Sequence, residues 1–206
     1  MTIRKRRHHH VWQFYLKSWA TNDKIWCLRD GKIFNPNTVN VAVERDFYKL
    51  QKLTKADIDL IQLLVIDKSP AYNKANHERF LELLTLPGRF VDENRKLIKN
   101  IEEINEALDV YMCNILEDHH FRIESLFTPL LKKLIAGDVS FYINDDDCMN
   151  FSYYISVQYM RTKNIKERVI TDLRKKSHID LDNVWVILSE FFSEDMASTL
   201  FVERKR

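Results

Sequence analysis

The sequence predicts an α+β fold that is predominantly α-helical, in which a small N-terminal β-hairpin or three-stranded element packs on a body of about six helices. Three observations support this prediction. An Asp30-Gly31 dipeptide separates two short apolar runs, apolar residues recur every three or four positions from residue 54 onward, and only 3 Gly and 4 Pro occur among 206 residues. Because Gly and Pro are the residues that most often interrupt regular structure, little of the chain is available for turns and linkers.

The chain divides into two segments on this reading. Residues 1–53 hold an aromatic and histidine-rich segment and the β element, and residues 54–206 hold the helical body. With 206 residues, of which 45% are hydrophobic, the chain has the size of one domain with a sizeable core. We therefore expect the two segments to fold as one cooperative domain.

The N-terminal β element is predicted from its turn. Asp30-Gly31 is typical of a two-residue hairpin turn, because both residues tolerate positive φ, and it is centred in the apolar stretch 25–34. Val39, Val41 and Val43 alternate with polar or small residues, which predicts a third strand or an extended segment.

The helices of the body are predicted from apolar spacing and from residues that begin or end a helix. Thr54, followed three residues later by Asp57, is typical of a capping box, Pro87-Gly88 ends the second helix, and Asp147 can cap the fifth. Residues 97–115 carry a heptad-like apolar seam that requires a partner helix, either in this chain or in a second copy. The predicted helices cover residues 54–68, 73–85, 92–116, 121–136, 147–175 and 181–193. The fourth helix, with a kink at Pro129, is the candidate partner for the seam.

Composition and motifs exclude several classes of protein. Three widely spaced cysteines form no Cys-x-x-Cys pair, and no apolar run approaches the roughly 20 residues that span a bilayer. Glycine-rich nucleotide loops, Gly-x-Ser-x-Gly and His-Glu-x-x-His are all absent from the sequence, which removes the usual support for dinucleotide enzymes, P-loop NTPases, serine hydrolases and zincins. We expect a cytoplasmic protein with no membrane span and no evident cofactor.

Charge is distributed unevenly along the chain. Residues 1–53 carry eleven basic and four acidic side chains, a net +7, whereas residues 92–147 carry six basic and thirteen acidic ones, a net −7. The stretch 161–176 adds seven basic and two acidic side chains. One interpretation is that these faces neutralise each other across the fold, and the other is a surface that binds phosphate groups.

Polar residues interrupt the apolar stripe of the fifth predicted helix. The stripe continues, at spacings of three, four and three, onto Gln158, Arg161, Ile165 and Arg168. An amide and a guanidinium on one helix face can converge on one phosphate or carboxylate. Two structural explanations remain open: Arg161 pairs with an acidic residue of the preceding helices, or the stripe rotates outward to solvent.

A second cluster contains groups that can bind metal ions. Glu117, His120 and Glu124 share one helix face if the helix is continuous there, and they include one Glu-x-x-His motif. Di-iron bundles need that motif twice, with two further glutamates, so these three residues are weak metal-ligand candidates. The alternative is a surface or capping arrangement, and a divalent metal is expected only if the protein is a nuclease.

The segment 8–19 is dense in imidazoles and aromatic rings beside basic residues. Aromatic rings can stack on bases, and a neutral imidazole can act as a general base. The alternative is that the rings anchor this segment on the helical body. The aromatic residues concerned are Trp12, Phe14, Tyr15 and Trp19.

Three ordered motifs resemble a widespread family of uncharacterised, mainly bacterial proteins known as a domain of unknown function. Residues 9–19 are similar to the family's opening His-Tyr-Val-Pro-x-x-Tyr-Leu-x-x-Phe, and residues 37–48 are similar to its second motif. The third motif is Gln-Tyr-Met-Arg-Thr at 158–162, followed by Arg168. The resemblance covers essentially the whole chain.

The resemblance implies a group of residues but no established reaction. The sequence departs from the family's pattern at His10, where Tyr is common, and at Trp12, where Pro is usual. Members typically continue into strands with a Thr-x-Asp-x-Pro type motif, which does not occur here before Arg206, so we expect either a chain cut short of those strands or a short member. The residues that the resemblance groups together are His9, Tyr15, Tyr48, Gln158, Arg161 and Arg168.

Together these features predict phosphate-directed binding of a nucleic acid or a nucleotide, with a phosphodiesterase or nuclease reaction if the site is catalytic. In that case His9 and Tyr15 are the catalytic candidates, and if the chain is cut short of the family's later strands, the complete site includes residues beyond 206. The predicted ligand-binding residues are Gln158, Arg161, Arg168 and Tyr48. The alternative is a non-enzymatic helical scaffold or protein-interaction module in which the same residues form a structural network.

Overall fold

The computed structural model describes residues 3–177 and 181–204, and this part of the chain contains seven helices and four short strands. The predicted α+β, predominantly helical fold is confirmed, and six of the helices form the body. The strands are β1 (Arg7–His9), β2 (Cys27–Arg29), β3 (Lys32–Phe34) and β4 (Val43–Arg45). The helices are α1 (Gln13–Lys17), α2 (Lys55–Leu64), α3 (Ala71–Asn94), α4 (Ile101–Ile135), α5 (Asp145–Met160), α6 (Lys163–Ser177) and α7 (Trp185–Glu203).

The predicted hairpin is formed by β2 and β3. Its two turn residues have positive φ, 52° at Asp30 and 73° at Gly31, as the dipeptide predicted. The third strand was predicted in part wrongly, because residues 38–40 form a 3₁₀ turn in which the Asn37 side chain accepts a hydrogen bond from the Val39 amide. The strand that follows, β4, pairs antiparallel with β1 and not with the hairpin, which makes a second two-stranded sheet.

The capping box that starts α2 is present in full. The Thr54 hydroxyl accepts a hydrogen bond from the Asp57 amide at 3.2 Å, and the Asp57 carboxylate accepts one from the Thr54 amide at 2.8 Å. Two amides that the first helical turn would leave without partners are thus satisfied within four residues of sequence.

The predicted end of the second helix before Pro87 is wrong, because α3 continues through this residue to Asn94. Proline has no amide hydrogen, so the carbonyl four residues earlier, that of Leu83, loses its helical donor. The Tyr111 hydroxyl of α4 donates to that carbonyl at 3.0 Å. A side chain from the neighbouring helix therefore replaces the missing hydrogen bond.

Residues 101–135 form one helix, whereas the sequence pattern predicted two helices separated near residue 118. The predicted pairing of 121–136 with the 97–115 seam is therefore wrong, since both lie on one rod. Instead, α4 packs against α3 and α5. Leu97 lies outside the helix with 79% of its surface exposed, and pairing of the seam with a second copy stays a prediction.

The fifth predicted helix is two helices in the structure. The first, α5, is capped by Asn144, whose side chain accepts from the Asp147 amide at 2.9 Å, so Asp147 is in the first turn and is not the cap. This helix ends at Met160, and α6 begins at Lys163 after a short bend. The predicted stripe from Gln158 through Arg161 and Ile165 to Arg168 therefore crosses a change in chain direction.

The last helix, α7, is central to the fold. Every residue from 184 to 191 is buried, and a helix that is buried around its whole circumference must be surrounded by other elements. It packs along α5 and also contacts α3. One hydrophobic cluster surrounds α7 with α2 and α3, and a second lies between α4 and α5 and includes the aromatic rings of the N-terminal segment.

The basic N-terminus lies against the acidic face of α4. Arg4 and Lys49 both pair with Asp109, the former at 2.8 Å, and Lys5 pairs with Asp118. These contacts support the interpretation in which the opposite charges of the two segments neutralise each other across the fold. No helix in the described ranges is both long and apolar enough to cross a bilayer.

Candidate functional site

Arg161 lies at the C-terminal end of α5 and is 5% exposed. Its Nε donates to the Tyr48 hydroxyl at 2.8 Å, its Nη1 donates to Glu124 Oε1 at 2.7 Å, and its Nη2 donates to the His9 carbonyl. The guanidinium also lies 5.1 Å from the centre of the Tyr48 ring. All three guanidinium nitrogens are thus bonded to the protein itself, as expected for a buried arginine.

Gln158, one turn before Arg161, holds the same N-terminal segment. Its Nε2 donates to the His10 carbonyl at 2.9 Å, and its Oε1 accepts from the Trp12 amide at 3.3 Å. Together, Gln158 and Arg161 bind the backbone from residue 9 to residue 12. We call this arrangement the N-terminal clasp.

The structure brings four of the six grouped residues together and separates two. His9, Tyr48, Gln158 and Arg161 meet in the N-terminal clasp, but His9 contributes its carbonyl, while its ring lies 3.2 Å from the Val39 carbonyl. Arg168 is exposed on α6, past the bend that separates it from Arg161.

Tyr15, the second catalytic candidate, is half-buried in α1 and packs at the edge of the cluster between α4 and α5. Its ring lies 6.2 Å from that of Trp19 in an edge-to-face arrangement. Trp12 packs edge-on against Phe127 and Tyr154, so most of the aromatic segment anchors the N-terminus on the helical body.

The metal-ligand candidates face different partners. His120 Nε2 lies 2.6 Å from Glu190 Oε1, and Glu124 pairs with Arg161. Glu117 is half-buried, and its Oε2 has no hydrogen-bond partner among the described residues. Burial raises the pKa of Glu117 to about 7, although the nearby Arg161 guanidinium counteracts this shift. No group of three or more candidate ligands converges in the described ranges, so these three side chains do not form one ligand set.

Sequence reasoning did not single out His8, whose ring is fully buried beneath the N-terminal clasp. Its Nδ1 accepts from the Tyr48 amide at 2.8 Å, so its Nε2 carries the hydrogen and donates to the Lys5 carbonyl at 2.7 Å. Burial lowers the pKa of His8, despite the hydrogen bond to Lys5. Strand alternation could have predicted this burial, because neighbouring side chains of a strand point to opposite faces, and His8, the middle residue of β1, points inward.

A cavity of about 550 Å³ opens between α3, α4, α5 and α7. We call it the α7 cavity. Three aromatic rings, those of Phe80, Tyr153 and Phe191, form much of its wall. The polar groups that reach it come from Asn73, Asn76, Arg79, His119, Asn150, Glu190, Glu194 and Ser198.

Glu190 is the most deeply buried charged group of this cavity, with 4% of its surface exposed. His120 binds its Oε1, while its Oε2 has no hydrogen-bond partner in the described structure and lies 3.5 Å from His119 Nε2. Burial opposes ionisation of Glu190, but the His120 and His119 imidazoles hold its pKa below the usual range. The pKa of His120 is lowered to about 4 by burial, which outweighs the opposing effect of Glu190. We therefore describe the pair as a carboxylate that accepts from a neutral imidazole.

The negative charge of the α7 cavity affects the Tyr153 hydroxyl. Its hydroxyl lies 3.3 Å from His119 Nε2, and its pKa is raised by burial and, in addition, by the charges of Glu190 and Glu194. Both carboxylates thus act on the same hydroxyl. Among the described residues, Arg79 is the arginine that contributes to the wall; it is exposed and donates to Asn76 at 3.1 Å.

A polar cluster behind the cavity fastens α3 to α7. Asp195 accepts from the Ser69 hydroxyl at 2.8 Å and from Asn73 Nδ2 at 2.7 Å. The buried His77 ring lies 3.0 Å from Ser69 Oγ through its Nδ1 and 3.2 Å from a Glu194 oxygen through its Nε2. The hydrogen bond from Asn73 to Asp195 fixes Asn73, a residue of the wall, whereas Glu194 is held by a hydrogen bond from Asn76 Nδ2 at 3.2 Å.

None of the cavity residues was predicted as a site. The sequence feature that could have indicated the cavity is Glu190. It is the single charged residue in the stretch 183–193, whose other residues are typical of a buried helix. A carboxylate in such a stretch requires a partner, and the partner, His120, comes from a helix 70 residues earlier.

These observations define a predominantly helical protein with a clasped N-terminal segment and an acidic cavity beside its central helix. Residues 7–193 match the family described as "Protein of unknown function (DUF4238)", and the chain belongs to this family. Comparison with curated proteins and with solved structures found no match.

Proposed function

We propose that the protein binds a small organic molecule in the α7 cavity. The cavity volume of about 550 Å³ is within the range of sites that hold small ligands, roughly 300–1,000 Å³. Its lining combines aromatic rings with a few convergent polar groups, which is the composition such sites usually have.

The observation that carries this proposal is the unpartnered oxygen of Glu190. A buried polar group without a hydrogen bond costs roughly 1–3 kcal/mol, so a native protein rarely keeps one without a reason. Glu190 is a residue of the cavity wall, and its Oε2 is buried and has no hydrogen-bond partner in the part of the chain that the structure describes. A ligand donor that reached this oxygen would remove the penalty.

A ligand-observed NMR screen of a diverse fragment library tests the proposal. The screen is run on the wild-type chain, on Leu83→Trp and on Leu63→Trp. Leu83 is on the cavity wall and is 50% exposed. An indole ring at this position therefore narrows the cavity without disturbing the packing of the buried core. Leu63 is 61% exposed on α2 and supplies the matched control.

We expect fragments that bind the wild type and Leu63→Trp but lose binding to Leu83→Trp. A library that yields no binder, or only binders that Leu83→Trp leaves unaffected, would show that the α7 cavity is not a ligand site.

Phosphate-directed binding remains a second proposal, but we now assign the phosphate contacts to basic residues of α6 and not to Arg161. The Arg161 guanidinium is committed to protein partners, whereas Arg168 and Lys175 are exposed on α6. Fluorescence anisotropy with short single- and double-stranded DNA and RNA at two salt concentrations tests it, because contacts to phosphates weaken as salt rises. Salt-dependent binding that Arg168→Ala reduces supports the proposal, and binding that is absent at low salt refutes it.

For the N-terminal clasp itself we propose the structural role that the sequence analysis left open. Gln158 and Arg161 bind backbone atoms and buried side chains, which supports a network that joins the N-terminal segment to the helices. We further propose a reducing bacterial cytoplasm as the location. The free thiols of Cys27, Cys113 and Cys148 support it.

A further inference from the structure

We infer that the ligand of the α7 cavity carries a protonated amine or a guanidinium, bound by Glu190 and Glu194. This inference rests on the proposed binding function and specifies the chemical class of the ligand.

The first argument is the arrangement of the two carboxylates. Glu190 and Glu194 are four residues apart on α7, so they occupy the same face of the helix one turn apart. Both contribute to the cavity wall, and both act electrostatically on the Tyr153 hydroxyl. A single cationic group at that hydroxyl would therefore be within the influence of two negative charges.

The second argument is that only one of the two carboxylate oxygens of Glu190 has a hydrogen-bond partner. His120 binds one of its oxygens, and the other is buried 3.5 Å from His119 Nε2, without a hydrogen bond from any described residue. An ionised carboxylate accepts hydrogen bonds and donates none, so the missing partner must be a donor. A cationic N–H donor matches it best, because it also pairs the buried negative charge, which is costly to leave without a counter-charge in a protein interior.

The third argument is that the wall offers little positive charge to compete for these carboxylates. Arg79 is exposed at the cavity and donates to Asn76, which in turn donates to Glu194 Oε1 at 3.2 Å. Glu194 therefore already takes part in the hydrogen bonds of the wall. Its side chain is nevertheless 29% exposed, so a ligand can reach it. An anionic ligand would meet two carboxylates and one solvated arginine, which disfavours it.

The fourth argument concerns the rest of the ligand. Phe80, Tyr153 and Phe191 line the same space as the carboxylates. Aromatic faces attract a cation that lies over them, and they also cover apolar carbon. The combination favours a small cation attached to an apolar or aromatic body.

Isothermal titration calorimetry with four matched compounds tests this inference: benzylamine, benzamidine, benzyl alcohol and benzoate. The wild type is compared with Glu190→Gln, with Glu194→Gln and with the control Glu78→Gln, which changes an exposed acid of α3 that does not belong to the cavity wall. Glu194→Gln is included because Glu190→Gln also alters the hydrogen bond to His120 and can affect folding.

We expect one of the two cations to bind the wild type at least about tenfold more tightly than benzyl alcohol, a difference of about 1.4 kcal/mol. Glu194→Gln is expected to reduce this preference, Glu190→Gln to remove it, and Glu78→Gln to leave it unchanged. Benzoate is expected to bind most weakly.

Two results would overturn the inference without touching the proposed binding function. One is equal or tighter binding of the alcohol or of benzoate, and the other is a fragment screen whose cavity binders are neutral or anionic. Failure of the binding function itself is recognised separately, because in that case Leu83→Trp affects no fragment of any charge.

Discussion

Arg161 at the end of α5 and Glu124 in the middle of α4 form a buried ion pair with a 2.7 Å contact, and the same guanidinium holds the carbonyl of His9. Two helices and the N-terminal segment thus meet at one side chain. The arrangement explains why Gln158 and Arg161 interrupt an apolar stripe. Their polar atoms replace, for the backbone of residues 9–12, hydrogen bonds that water would otherwise supply.

Loss of Arg161 is expected to destabilise the fold strongly. Arg161→Met leaves Glu124 buried without its partner and removes donors from Tyr48 and from the His9 carbonyl. Breaking a buried pair in this way costs about 3–5 kcal/mol in the free energy of unfolding. Urea denaturation followed by circular dichroism measures it.

Two comparisons sharpen this prediction. The double variant Arg161→Met with Glu124→Leu is expected to recover part of the loss, because no uncompensated charge remains. Arg168→Met, at an exposed position of α6, is expected to stay within about 0.5 kcal/mol of the wild type. Equal effects of the two arginine substitutions would contradict the structural role of the N-terminal clasp.

Gln158 is expected to protect the N-terminal segment from local opening. Gln158→Ala removes two hydrogen bonds to the backbone, and Gln158→Glu keeps an acceptor for the Trp12 amide while it loses the donor to His10. Hydrogen exchange of the Trp12 amide should therefore speed up more in Gln158→Ala than in Gln158→Glu. Gln51→Ala, an exposed substitution, serves as the control. Unchanged exchange in both Gln158 variants would argue against the clasp.

Replacement of Glu117 is expected to stabilise the protein at alkaline pH. Burial raises the pKa of this carboxyl from 4.5 to about 7, so the folded state holds a proton more tightly than the unfolded state. Its contribution is favourable at low pH and is lost as pH rises from the unfolded toward the folded pKa. At about pH 8, Glu117→Gln should gain on the order of 1–2 kcal/mol.

The advantage of Glu117→Gln should disappear near pH 4, where both states of the wild type are protonated. Thermal unfolding at several pH values measures the difference. Glu106→Gln, on the exposed face of α4, should show no such pH dependence. A destabilised Glu117→Gln at about pH 8 would mean that the ionised carboxylate has a partner that the wild type needs.

Acid is expected to destabilise the fold through its buried histidines. Burial lowers the pKa of both His10 and His120 from 6.5 to about 4, so their neutral forms belong to the folded state. This contribution is complete above the unfolded pKa and is lost as pH falls from 6.5 toward 4. Because His10 is partly exposed, we expect a total loss on the order of 2 kcal/mol between about pH 7 and about pH 5.

His10→Phe separates the contributions of the two histidines. The ring of His10 packs 5.4 Å from Phe47 and its Nδ1 has no hydrogen-bond partner among described residues, so a phenyl ring is a suitable replacement. The variant should lose less stability than the wild type over the same pH interval, measured by urea denaturation. Identical pH profiles would show that His10 is not a source of the acid sensitivity.

Local sequence determined the features that depend on interactions between residues only a few positions apart. The positive φ turn at Asp30-Gly31 and the Thr54 and Asp57 capping box were both predictable, because their energies depend on backbone conformation and near neighbours. The predominance of helix followed in the same way from apolar spacing. The polar character of the Gln158 and Arg161 stripe was also visible in the sequence.

Tertiary structure alone decided what those elements do. Pro87 does not end α3, because a hydroxyl 28 residues from the Leu83 carbonyl, that of Tyr111, restores the hydrogen bond. Arg161 finds its partners 37 and 113 residues away, and these contacts build the N-terminal clasp. Glu190 becomes the centre of a cavity because α3, α4 and α5 close around α7. Such outcomes depend on the desolvation and pairing of groups far apart in sequence, and no local pattern encodes them.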